Sequence, residues 1–160
     1  MSKSVLRRVH VTASVLAIFT VTTFLAATLT AEISGDEASI TMVKSWIARA
    51  VVGLTVVLAS AALSGRRLAG RSRAPVVRRK LRRMQAIAAT GMLILIPCAV
   101  ALDQLASRGN FGTTFLVLQG IELAAGGVNL TLLGLNFRDG VMLGRQGRRR
   151  AAVVRAKEHR

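Results

Sequence analysis

The sequence predicts an all-α bundle of four transmembrane helices with both termini in the cytoplasm. Three observations predict it: apolar runs of bilayer length with at most two charges each recur four times, most Lys and Arg cluster in blocks outside those runs, and the basic blocks fall on one side once the runs are threaded through a membrane. Of 160 residues, 52% are hydrophobic, yet 23 are Lys or Arg against 7 Asp or Glu. A soluble domain would intersperse so many charges with its apolar residues. Here they are segregated, and about 20 apolar residues suffice to cross the hydrocarbon core as a helix.

The first span is expected at about 9–31, after Lys3, Arg7 and Arg8. A basic start before an apolar run is also the pattern of a secretory signal, but this run is too long for one and Leu29-Thr30-Ala31 is a poor cleavage site. Its many threonines can return their hydroxyls to the preceding turn, which makes them cheap in lipid. A short acidic connection with Glu32, Asp36 and Glu37 follows. Three carboxylates there could attract a divalent cation, although on a loop they are more simply solvated.

The second span is expected at about 42–64, with Lys44 and Trp46 at the depth of interfacial anchors. Arg49 lies a turn further in. Its side chain either snorkels to the headgroups or finds a partner inside the bundle. Nine basic residues then crowd Gly65 to Arg83, where Gly70, Ser72 and Pro75 should interrupt any continuous helix. The third span, about 84–102, holds Pro97, which should bend it by removing one backbone hydrogen bond and crowding the preceding turn. Asp103 marks its exit.

The fourth span, about 111–137, carries the polar information. Gln119, Glu122, Gly126, Asn129, Leu133 and Asn136 recur at helical spacing and form one stripe. Four of the six are polar. A spanning helix with such a stripe hides it from lipid, inside a bundle or against a cavity. The span ends around Arg138-Asp139-Gly140, and residues 141–160 form a basic cytoplasmic tail.

Twenty of the 23 Lys and Arg lie at the N-terminus, in the second connection or after Phe137, leaving only Lys44, Arg49 and Arg108 on the other side. The positive-inside rule therefore places both termini in the cytoplasm and the basic blocks against anionic lipid headgroups. A nucleic-acid partner is not expected, since no aromatics interleave with the basic residues and no zinc or helix-turn-helix spacing occurs. A faint internal repeat pairs Arg7-Arg8-Val9-His10 with Arg82-Arg83-Met84-Gln85, and Ile47, Ala50, Gly53 and Leu58 with Ile121, Ala124, Gly127 and Leu132. It would make the bundle two parallel helical hairpins.

From about Leu6 to Gly140 the chain resembles uncharacterised small four-helix bacterial integral membrane proteins. The residues that carry the resemblance are Arg8-Val9-His10, the run from Glu122 to Leu130 and the ending Gly134-Leu135-Asn136-Phe137-Arg138-Asp139-Gly140. The resemblance implies a bacterial inner-membrane location and no activity.

The candidate site centres on Glu122, because a charged side chain at bilayer centre costs about 3 kcal/mol or more. Arg49 is the expected counter-ion, with Gln119 and Asn129 as flanking hydrogen-bond partners and Asn136 further along the stripe. The stripe can be read as helix-packing glue, as a substrate or proton site, or as the wall of a cofactor pocket. A small multidrug exporter fits poorly, because lipophilic cations are held by aromatic faces and the chain has no Tyr and one Trp. A second constellation is His10, which starts the first span at the depth where Met84 starts the third. His with Met is an axial pair for haem iron, and without a Cys-x-x-Cys-His attachment only non-covalent haem b could apply. Otherwise His10 is an interfacial histidine. The lone Cys98 gives no disulfide or metal cluster.

No nucleophile with its base, no paired catalytic carboxylates and no metal-ligand cluster appears, so an enzyme is not expected. The leading reading is a non-enzymatic interaction or accessory subunit, self-associating because 160 residues enclose little interior. A small proton-coupled transporter using Glu122 and a haem b protein using His10 are the alternatives.

Overall fold

The computed structural model describes residues 2–70 and 75–158. The chain forms α1 (Lys3–Ser34), α2 (Glu37–Ala69), α3 (Pro75–Thr90), a π-helical turn (Gly91–Leu95), α4 (Ile96–Ser107) and α5 (Thr113–Glu158). Helix α3, the π turn and α4 run on as one rod. Four helical rods result, each long and apolar enough to span a membrane: Ser4–Ser34, Glu37–Leu68, Pro75–Ser107 and Thr113–Arg145.

Local chemistry sets the boundaries. The Ser2 hydroxyl accepts the Val5 N–H at 3.3 Å to start α1, which ends at Gly35 with φ 65°. That left-handed conformation suits glycine, and it lets the chain turn back within three residues. Asp36 then caps α2, accepting from the Ser39 N–H at 2.9 Å. Helix α2 stops at Gly70, which also has a positive φ, 52°, but with ψ −135°, a region open to glycine, and α3 begins on Pro75, whose missing N–H costs nothing in a first turn. Gly70 and Pro75 thus interrupt the helix as expected; Ser72 lies outside the described residues. Thr22, Thr23, Thr55 and Thr131 return their hydroxyls to carbonyls four residues earlier, at 2.8–2.9 Å.

Pro97 shapes the third rod through the π turn just before it. There the Ile96 N–H reaches back five residues to the Gly91 carbonyl, so the backbone gains one residue where the proline ring would otherwise meet the Leu93 carbonyl.

The helices pack as two hairpins, α1 with α2 and α3/α4 with α5, and α5 also packs on α1 while α4 packs on α2. Two connections, 35–36 and 108–112, share one end of the bundle, here the loop end. The start of α1, the end of α2 and the start of α3 share the other, the terminal end, toward which α5 also runs. Ala31, Ile40, Leu102, Ala106 and Phe115 form the core of the loop end, and Val21, Ile87 and Leu133 form that of the terminal half.

Helix α5 differs from the expected fourth span by continuing through Arg138-Asp139-Gly140 to Glu158. Those residues end an apolar run without ending a helix. Asp139 is buried and accepts from Arg83 Nη1 at 2.8 Å, and Gly140 lies under Lys80, whose Nζ would sit 3.1 Å from a Cβ there. The polar run is therefore a contact surface for α3.

Candidate functional site

The polar stripe of α5 is buried along its whole length: Gln119, Glu122, Gly126, Asn129, Leu133 and Asn136 all face inward. Gly126 is the close approach to α1, where a Cβ would lie 2.9 Å from Leu25 Cδ2. A residue without a side chain lets the two helices meet at this point.

At the loop end the stripe meets a lysine. Lys44 Nζ donates to Glu122 Oε2 at 2.6 Å, with the two side chains 2% and 11% exposed. The expected Arg49–Glu122 pair does not form. Five residues separate Lys44 from Arg49, a rotation of about 140° at 3.6 residues per turn, so when one faces α5 the other faces outward. Arg49 is exposed and makes no ion pair among the described residues. Lys44 is likewise not an interfacial anchor. Helix α2 starts at Glu37, which puts Lys44 two turns inside the bundle, level with Glu122 two and a half turns into α5. Trp46 does face outward, and it stacks edge-on with Phe24 at 5.4 Å between ring centroids.

The expected flanking partners also bond elsewhere or not at all. Gln119 is buried, and neither amide atom has a hydrogen-bond partner. Asn129 Nδ2 reaches the Ile87 carbonyl at 3.4 Å, and Asn136 Nδ2 reaches the Lys80 carbonyl at 3.5 Å. Both asparagines thus tie α5 to the backbone of α3, while their Oδ1 atoms stay buried and unpartnered. On the other flank of Lys44, the Ser45 hydroxyl donates to Asp103 and the Thr41 hydroxyl donates to the Ala106 carbonyl at 3.3 Å, joining α2 to α4. Cys98 is a buried free thiol nearby.

At the loop connection, Asp36 and Glu37 are exposed and Glu32 is half-buried. Hydrogen bonds from the Ser39 hydroxyl and the Ser39 N–H, with a lesser one from the Ala38 N–H, hold the Asp36 carboxyl below its ordinary pKa. The carboxylate is occupied as a helix cap. Among the described residues no group of three His, Cys, Asp or Glu side chains is placed to hold a metal ion.

The terminal end holds the second constellation. His10 Nδ1 donates to the Ala61 carbonyl of α2 at 2.9 Å, and its Cε1 occupies the space that a Cβ on Gly65 would need, 2.9 Å away. Gly65 is therefore the socket for the imidazole. His10 and Met84 both line a cavity of about 860 Å³ bounded by α1, α2, α3 and α5. They also share the wall of an adjoining cavity of about 180 Å³ between Gly65, Arg66 and Val77. Lys44 and Glu122 line neither cavity. The sequence reading missed Arg7, Lys80 and Arg145 as lining groups, because each sits in a basic block that reads as topology signal.

No family model, no curated protein and no solved structure matches this chain.

Proposed function

We propose that the protein is a non-enzymatic bacterial inner-membrane protein that works as an interaction or accessory subunit, with its termini cytoplasmic. The single observation that carries the reading is the outward-facing Arg49. It lies four residues, about 6 Å, from the midpoint of α2, on the face opposite Lys44. A cationic side chain facing lipid near the centre of a span costs about 2.5–3.5 kcal/mol, a cost that an acceptor on a neighbouring chain removes. Trp46, Arg49, Gly53 and Val56 lie along this face at i, i+3, i+7 and i+10, and nothing lies within 4 Å of a Cβ built on Gly53. Such a seam admits a second helix at close approach.

The internal polar groups fit a structural role. Lys44 and Glu122 neutralise each other at hydrogen-bond distance, and Asn129 and Asn136 tie α5 to α3. The asymmetry of Lys and Arg supports the cytoplasmic placement of the termini.

The test is gentle extraction from native membranes followed by size analysis and identification of co-purifying chains. The expected result is a stoichiometric complex, with a second protein or with further copies of this chain, that Arg49→Leu dissociates while the released chain stays folded. A monodisperse single chain from unmodified membranes overturns the reading.

A carrier reading has one observation in its favour, the Gln119 amide, buried one turn from Glu122 with no protein partner. It predicts proton flux in proteoliposomes that Glu122→Gln abolishes without changing assembly.

A further inference from the structure

We propose that the cavity at the terminal end is a binding site for one anionic phospholipid, with its phosphate among Arg7, Lys80 and Arg145 and one acyl chain between α1, α2 and α5. The chemistry of the lining is polarised along the bundle axis. Arg7, Lys80 and Arg145 lie at the outer end, and Ala17, Ile18, Leu58 and Leu133 lie at the inner end. Along α1 the lining runs from Arg7 to Ile18, eleven residues or about 16 Å at the helical rise. That length accommodates most of an acyl chain. A soluble anion would need only the outer end, and an apolar ligand only the inner.

Charge complementarity identifies the head. Among the described residues no Asp or Glu lines the cavity. Asp139, close by, already accepts from Arg83 at 2.8 Å. Among the described residues, Arg7, Lys80 and Arg145 form no ion pair. Three cations from three helices then face one cavity with only the Arg83-paired Asp139 near Lys80, and a bound phosphodiester offsets their repulsion through charge-assisted hydrogen bonds. The adjoining smaller cavity adds Arg66 beyond the shared His10 and Lys80 wall.

Charge selects the head further. A choline headgroup would bring a fourth cation to the cluster, whereas a glycerol headgroup leaves the lipid anionic.

Glycines make room for the cationic side chains. A Cβ at Gly140 would lie 3.1 Å from Lys80 Nζ, and one at Gly144 would lie 3.2 Å from Arg7 Nη2. A side chain at 140 or 144 would push the facing cation back by a few tenths of an ångström.

The test is native mass spectrometry of the full-length protein, delipidated in detergent and titrated with phosphatidylglycerol, phosphatidylcholine or inorganic phosphate. One phosphatidylglycerol should be retained at activation energies that strip phosphatidylcholine. Lys80→Gln and Arg7→Gln should each weaken its retention about tenfold or more, as the loss of a charge-assisted contact does. Arg8→Gln and Arg138→Gln, which remove equal charge outside the cavity, should not. Ser14→Leu should weaken lipid retention by filling the cavity while every cation remains. Equal losses from all four charge variants would reduce the effect to general surface attraction and overturn the site. Displacement of the lipid by millimolar inorganic phosphate would overturn it in favour of a soluble anion, and co-purification of a Soret-absorbing pigment in favour of a porphyrin. Folding of each variant is checked independently by circular dichroism, and retention is compared only among folded variants.

Discussion

Lys44 and Glu122 meet at 2.6 Å inside the bundle, and each is the only charged partner of the other among the described residues. Removing one charge strands the other. Glu122→Gln should therefore destabilise the fold by about 3–5 kcal/mol, the usual cost of breaking a buried pair. The double variant Lys44→Met with Glu122→Leu should recover most of the loss, because it removes both desolvation penalties at once. Arg49→Leu should leave the stability of the isolated chain within about 0.5 kcal/mol, the usual range for an exposed site outside special features. Reversible unfolding in mixed micelles measures all three. Destabilisation by Arg49→Leu equal to that by Glu122→Gln would contradict the observed pairing.

The imidazole of His10 and the bare Cα of Gly65 form a second fitted pair. Gly65→Ala places a methyl group 2.9 Å from Cε1. The α1 and α2 helices must then separate or the ring must leave the Ala61 carbonyl, at a cost of about 1–3 kcal/mol for an overpacked contact. His10→Ala in the same chain should relieve that cost. A double-mutant cycle should thus give a coupling energy well above zero, and additive effects would show that the contact is loose.

The turn between α1 and α2 should respond to acid. Asp36 is held below its ordinary pKa in the folded chain, so its contribution to stability is complete above the unfolded value of about 3.9. It is lost as pH falls through the depressed folded value, since the unfolded state binds more protons in that window. Asp36→Asn keeps a capping side chain but cannot titrate. The variant should flatten the acid limb of the stability profile measured between about pH 5 and pH 2, while leaving stability at neutral pH little changed.

The four spans and the buried face of α5 were legible because both are written in apolar runs and helical spacing. Every member of the stripe from Gln119 to Asn136 is inside. The partner of Glu122 was misread because Lys44 lies near the polar edge of its apolar run, as an interfacial anchor does. Its helix, however, begins seven residues earlier, at Glu37. A signal for its burial was present: Ile40, Lys44, Ile47 and Val51 follow i, i+4, i+7 and i+11, and all four are buried. Arg83 and Asp139 were read only as markers of membrane edges, because nothing in a single sequence reports that the start of one span and the end of another are neighbours. The cavity was hidden for the same reason, since its cations come from three separate basic blocks.

The π turn explains how one apolar run can bury two different faces. Between Ile87 on α3 and Ala99, Leu102 and Ala106 on α4, the extra residue absorbs a rotation of about 100°. With it, Ile87, Ala99, Leu102 and Ala106 lie within an arc of about 60°, and Cys98, also buried, lies about 80° from Ile87. In a continuous α-helix Ala99, Leu102 and Ala106 would instead sit about 60–120° away from Ile87. Deleting Leu93, which is 76% exposed within the turn, should convert it to α-helix and keep both faces in place. Combined with Pro97→Ala, which restores the donor that the α-helix then needs, the shortened chain should fold with stability equal to or above that of the parent. Deleting Val100 instead, also exposed at 44%, leaves the π turn intact but rotates Leu102 and Ala106 away from the core, and should abolish cooperative unfolding. Circular dichroism with thermal denaturation in micelles distinguishes the two deletions. Equal damage from both would mean that the π turn does not set the register between α3 and α4.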